Sequence, residues 1–305
     1  MAIFNWNTII PNIPDTWRQT EGKGIRIAFL DSGANLDTPT LKHLKLPGHQ
    51  FNVALPDFDI PKSISTGGND DVTDQQSFGI FHGTSCLSVL AGMPESATTG
   101  IKGVAPQAEI FVFRIMESDI TFNKGHILDA IEIALSKNVD IIVCSVLPSF
   151  EGSYTDGRRD DLYAKIKEKN IALVTTVTNT TRLNVLTNML FPSNHPLSIV
   201  GGVAQVPILA PKPDVNMLFH DISFLTSPVT VGGLKDKDAK PYQMMPCSSS
   251  QATAALAGII ALAMSQMQQR PERSDLIAAL KTAFHSTYDP TAMMTQKTPG
   301  YFSKA

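Results

Sequence analysis

Short apolar runs alternate with helical patterns along this chain. Ile25–Leu30 (IRIAFL), Ile110–Ile115 (IFVFRI), Asp140–Val146 (DIIVCSV), Ile171–Val177 and Ser198–Ala204 predict strands. Between them, His82–Met93 predicts a helix. Gly125–Lys137 predicts another, with Ile127, Leu128, Ile131 and Leu135 on one face, and Asp160–Lys169 predicts a charged, exposed one. Near Ser250 a serine cluster opens into an alanine-rich apolar run through Met264, which predicts a buried central helix. Strands nearly continuous in apolar residues and separated by helices imply a mainly parallel α/β sheet covered on both faces, a three-layer α/β/α domain. Residues 205–245 are richer in Pro, Asp and Lys and predict β-hairpins and loops. They offer no boundary, so residues 1–305 are expected to form one domain.

Composition narrows the function. Apolar residues are 43% and charged residues 17% of the 305, enough for a large core. A net charge of −3 with no long basic run argues against nucleic acid or an anionic membrane as the main partner. The apolar stretch Ala254–Met264 is too short to span a bilayer, and the first residues lack the pattern of a signal peptide. Cys86, Cys144 and Cys247 are odd in number and far apart, which fits reduced thiols and a cytoplasmic location.

Three segments carry candidate chemistry. Asp31 follows the first apolar strand and precedes Ser32-Gly33, at the strand end that faces the ligand crevice in an open α/β sheet. His82 precedes Gly83-Thr84 at a helix start, where the glycine permits close backbone approach and the threonine can bond the local backbone. Ser248, Ser249 and Ser250 precede the central helix, where free N–H groups and the helix dipole favour an oxyanion. Taken singly, an Asx turn, a surface histidine and a helix N-cap explain each.

The order Asp31, His82, Ser250 gives the three segments joint meaning. Over residues 13–285 the chain resembles the subtilisin-like serine protease family. AFLDSG resembles the family's Asp segment, FHGTSCLSVLAG its His segment, and GVAPQAEIFVFRI the segment that follows. SSSQATAALAGIIAL is similar to its Gly-Thr-Ser-Met-Ala helix start. The resemblance implies a serine endopeptidase acting on a peptide or protein through an acyl-enzyme. Ser250 is the expected nucleophile, His82 the general base and Asp31 the residue that orients it. Asn179, in VTTVTNT, takes the place of the family's oxyanion asparagine. No cofactor is needed for this chemistry.

Departures from the family pattern concentrate at the cleft. The family's Ser-Leu-Gly-Gly edge is here Ser145, Val146, Leu147 and Pro148; the glycine before the oxyanion asparagine is Thr178; and Ser248-Ser249 replace Gly-Thr before the nucleophile. Ser145, Val146, Leu147, Pro148, Thr178 and Ser249 are the expected substrate-binding positions, and the added bulk implies a narrowed S1 pocket with a small P1 residue. Thr40 stands where secreted relatives often carry a calcium-binding Asp, and residues 93–103 do not reproduce their calcium loop. Asn69, Asp70, Asp71 and Asp74 form an acidic cluster, read first as a solvated loop and second as a calcium site. Family-like sequence begins near residue 13, so no propeptide is expected, which fits selective processing of one dedicated precursor. The rival reading is a pseudoprotease, a peptide-binding module on the same scaffold.

Overall fold

The computed structural model describes residues 16–74, 76–77, 80–94, 102–117, 124–146, 157–176, 192–193, 195–203, 222–224, 230–231, 243–244 and 249–283. Its frame is a seven-stranded sheet made of β1 (Arg26–Asp31), β2 (Gln50–Asn52), β5 (Glu109–Arg114), β6 (Ile141–Cys144), β7 (Ala172–Thr176), β8 (Ser198–Val203) and β9 (Ile222–Phe224). The spatial order is β2-β5-β1-β6-β7-β8-β9, with every pairing parallel. Two short antiparallel pairs lie outside it: β3 (Gln76–Ser77) with β4 (Ile80–Phe81), and β10 (Thr230–Val231) with β11 (Gln243–Met244).

Helices cover both faces. They are α1 (Ile60–Thr66), α2 (His82–Ala91), α3 (Lys124–Ser136), α4 (Gly157–Glu168), α5 (Ser249–Met264) and α6 (Arg273–Ala283). The alternation of strand side chains divides the core. Ile27 and Phe29 of β1 join a cluster with Leu87 and Leu90 of α2, Leu256 and Ile260 of α5, and Leu276 of α6. Ala28 and Leu30 point the other way, into a cluster with Ile127, Leu128 and Ile131 of α3 and Leu162 and Tyr163 of α4. Helix α5 is buried almost all round, from Ser249 through Leu262, as its alanine-rich sequence requires of a helix inside one layer. Phe29 is fully buried. Phe29→Ala is expected to lower stability by about 3–5 kcal/mol, read as a fall in the urea midpoint.

Strands β1, β5, β6, β7 and β8 lie where the apolar runs predict them, within a residue or two at their ends. The short strands β2 and β9 at the sheet edges were not foreseen. β9 comes from the stretch expected to form hairpins and loops; it pairs with β8, while the antiparallel β10–β11 pair lies in the same stretch.

The topology positions the site. From β1 the chain moves outward to β2 and β5 on one side, then returns to β6 on the other. A crevice opens at such a reversal, outside the carboxyl ends of the strands. Asp31 is the last residue of β1, and Ser145 follows the last residue of β6 directly. Thr253 fastens the first turn of α5 above the sheet. Its Oγ1 lies 2.8 Å from the Ser249 carbonyl and 3.2 Å from that of Gly201 in β8.

Candidate active site

Asp31 is fully buried, and its Oδ1 accepts from the Ser32 amide at 2.7 Å and from His82 Nδ1 at 2.7 Å, while the Ser32 hydroxyl oxygen lies 3.2 Å away. With the carboxylate ionised, Nδ1 carries the hydrogen and Nε2 is left as the basic nitrogen. His82 begins α2, and its side chain stays 21% exposed, so the imidazole reaches the crevice while its partner is sealed beneath it.

Two glycines make this approach possible. Gly33 has φ +117°, and a Cβ there would lie 2.4 Å from the Val72 carbonyl oxygen. At Gly83 a Cβ would lie 2.0 Å from the Gly33 carbonyl oxygen and 3.1 Å from Asp31 Oδ1. The backbones after Asp31 and His82 therefore touch, which sets the two side chains at hydrogen-bond distance.

The free N–H groups of the first turn of α2 are also used. Phe81, the residue before the helix, supplies no side-chain cap. Instead the Gly83 amide donates to Ser32 Oγ at 3.0 Å, and the Thr84 amide donates to Asp74 Oδ2 at 2.7 Å. The Thr84 hydroxyl donates to the same Asp74 oxygen at 2.7 Å and accepts from the Asn35 amide at 3.0 Å. Ser32 Oγ donates to Asp74 Oδ1 at 2.7 Å.

This overturns the solvated-loop reading for one member of the acidic cluster, because Asp74 is only 3% exposed. The others have separate partners. Asn69 Oδ1 accepts from the Gly48 amide, Asp70 from the Asn52 amide, and Asp71 from the amide and hydroxyl of Thr73. Asp74 and Ser32 carry no mark in the sequence beyond their nearness to the Asp and His motifs.

Charge follows this geometry. Burial works against a charged His82 ring, yet the Asp31 charge and hydrogen bond, with the more distant Asp74 charge, raise its affinity for a proton above the ordinary value. Burial pushes the Asp74 carboxyl up to about 6 against the bonds from Thr84 and Ser32, and the Asp31 charge adds to the rise. Cys144 is held as a neutral thiol, pushed up to about 12 by burial. Cys86 and Cys144 are buried and form no disulfide among the described residues, and Cys86 belongs to the core.

Ser249 and Ser250 are the first two residues of α5, and Ser250 is 6% exposed. Helix α5 packs on α2, and Gln251 Nε2 donates to Ser85 Oγ at 3.1 Å, so the two helix starts are tied together. Ser145 is buried beside β1 and Val146 is half-buried. Ser145 Oγ and Asp31 Oδ2 are buried without a hydrogen-bond partner among the described residues. Leu147, Pro148, Thr178, Asn179, Cys247 and Ser248 lie outside the described residues.

This combination of a parallel sheet, an Asp–His pair at the end of an interior strand and a serine-initiated helix defines a class. The model of the subtilase family matches residues 22–297, and the chain belongs to that family. An intracellular serine protease of Paenibacillus polymyxa is 28% identical over 135 residues, 44% of this chain and 36% of the relative. Rat (Rattus norvegicus) furin is 30% identical over 151 residues, 48% of this chain and 17% of the relative. The matched stretch thus spans little more than a third of the Paenibacillus relative's length and less of furin. Among solved structures, the prenylagaramide maturation protease PagA superposes with a TM-score of 0.60 at 18% identity, covering 92% of each chain. The MycP3 protease of the type VII (ESX-3) secretion system gives 0.65 at 17% identity, covering 97% of this chain and 89% of its own. Among the described residues, no helix is long and apolar enough to cross a membrane.

Proposed function

We propose that this chain is a serine endopeptidase that cleaves peptide bonds through an acyl-enzyme. The observation that carries the reading is the 2.7 Å bond to buried Asp31 from His82 Nδ1, on a helix tied to the one whose first turn holds Ser250. His82 Nε2 takes the proton of the Ser250 hydroxyl as Oγ attacks the scissile carbonyl carbon, and Asp31 stabilises the imidazolium. The proton then passes to the leaving amine, and water activated by the same imidazole releases the acid. The Asn179 amide and the Ser250 backbone N–H donate to the oxyanion. No cofactor is needed for this chemistry.

The substrate is a peptide or protein segment laid along Ser145–Pro148, with Thr178 and Ser249 on the opposite side. Leu147, Pro148 and Thr178 replace family glycines, which narrows S1 and selects Gly, Ala or Ser at P1. Such selectivity suits a single-domain cytoplasmic enzyme that matures one dedicated precursor. That PagA is a maturation protease supports this reading, as do buried Cys86 and Cys144, which form no disulfide among the described residues.

A fluorogenic peptide series varied only at P1 tests the proposal. Gly, Ala and Ser substrates are expected to exceed Phe and Leu by about 10-fold or more in kcat/KM. A preference for large aromatic P1 residues would overturn the narrowed pocket. Binding of every peptide with cleavage of none would favour the peptide-binding module.

A further inference from the structure

The buried carboxylate of Asp74 is not needed to explain acyl transfer by Asp31, His82 and Ser250. We propose that Asp74 is a positioning residue for the Asp31–His82 pair, and that its negative charge locks the first turn of α2 onto the end of β1. The proposal rests on the protease reading above.

The geometry is a closed clamp. Asp74 Oδ2 accepts from both the amide and the hydroxyl of Thr84, two residues beyond His82. Asp74 Oδ1 accepts from the hydroxyl of Ser32, one residue beyond Asp31, and that hydroxyl accepts from the Gly83 amide. The Asp74 amide donates to Asn35 Oδ1 at 3.1 Å, and the Asn35 amide donates to Thr84 Oγ1, which closes the ring. One side chain therefore joins the segment after Asp31 to the segment after His82. The chain between Asp74 and His82 forms the β3–β4 ribbon, so the clamp also fastens its base.

A neutral cap would hold a helix start at less cost, since Asn and Ser serve as well as Asp. An ionised carboxylate at 3% exposure is expensive, and here it sits near a second one, Asp31. What the charge adds is support for the imidazolium that forms during proton transfer. Titratable or charged groups facing the pair among the described residues are Asp31 on β1, Cys86 on α2 and Cys144 on β6. Arg114 on β5 donates to the Thr73 carbonyl beside Asp74.

The experiment measures the rate of fluorophosphonate labelling of Ser250 against pH in the intact chain. Asp74 and His82 both titrate on the acid side, so the wild-type log rate is expected to fall more steeply than slope one, approaching two over about the first one to two decades of loss. Asp74→Asn removes one titrating group and one negative charge. Its limb is expected to fall with slope one and to move to lower pH, and its plateau rate to drop about 10- to 100-fold through misalignment. Thr84→Val removes a hydrogen bond that lowers the Asp74 proton affinity, so its limb is expected to move to higher pH.

Folding gives a separate readout. Asp74 binds its proton more tightly folded than unfolded, so its contribution to stability is full below pH 3.8 and is lost as pH rises through about 6. The melting temperature of Asp74→Asn relative to wild type is therefore expected to improve between pH 4 and 7. Opposite shifts of the two limbs would not arise from lost packing. Unchanged limbs in both variants would overturn the proposal. If Asp74→Asn fails to fold, an unmoved limb in Thr84→Val overturns it alone. A wild type that takes no label overturns the protease reading itself, a different result from labelling with an unmoved limb.

Discussion

Replacing His82 by alanine is expected to lower kcat for peptide hydrolysis by about 10⁶-fold, a magnitude known from a subtilisin of the same family and carried over to this chain. The ring is the one base joined to Asp31 among the described residues, and a serine hydroxyl is a weak nucleophile at neutral pH without one. Ser250→Ala is expected to cost a similar factor, and the double variant little more, because the two side chains act as a unit. Steady-state turnover of a cleavable peptide gives all three numbers. Additive losses would mean that His82 and Ser250 serve different steps. The fold should persist in His82→Ala, since α2 is held by Asp74, Ser32 and its buried apolar face rather than by the imidazole.

Gly83→Ala is expected to damage stability and activity together. Its Cβ would sit 2.0 Å from the Gly33 carbonyl oxygen, which is backbone and cannot swing aside. Either α2 or the segment after β1 must move. Overpacking of this kind costs about 1–3 kcal/mol. A displacement of His82 from Asp31 by as little as about 1 Å costs about 100-fold in rate. Thermal melting and turnover measured on the same sample separate the two effects. Gly157→Ala is the control, because a Cβ at Gly157 meets nothing within 4 Å, and it should change neither. A Gly83→Ala enzyme with wild-type turnover would show that the Asp31–His82 contact does not depend on this close approach.

The parts of the molecule that were legible in the sequence are those with a local signature. The apolar runs in β1, β6 and β7 mark strands buried on both faces, and the alanine-rich run of α5 marks a helix enclosed by its neighbours. Asp31 and His82 were legible because each stands within two residues of a glycine at a strand end or helix start. The structure joins them by one hydrogen bond across 51 residues. β2 and β9 were not legible, because each has three residues, too few to establish a period, and is defined by its neighbour in the sheet. Asp74 was misread for a related reason. Its sequence neighbours Asp70 and Asp71 are polar and partly or fully exposed, whereas its own partners, Ser32 and Thr84, come from two other segments. Burial of a single polar residue by tertiary contacts leaves no pattern in the stretch around it.

All of these expectations depend on an activated hydroxyl at the start of α5. Treatment of the intact protein with a fluorophosphonate, followed by mass spectrometry, reads it directly. The account predicts one adduct on wild type, in the peptide that holds Ser250, and none on Ser250→Ala or His82→Ala. Equal labelling of the three proteins, or an adduct on another residue, would contradict it.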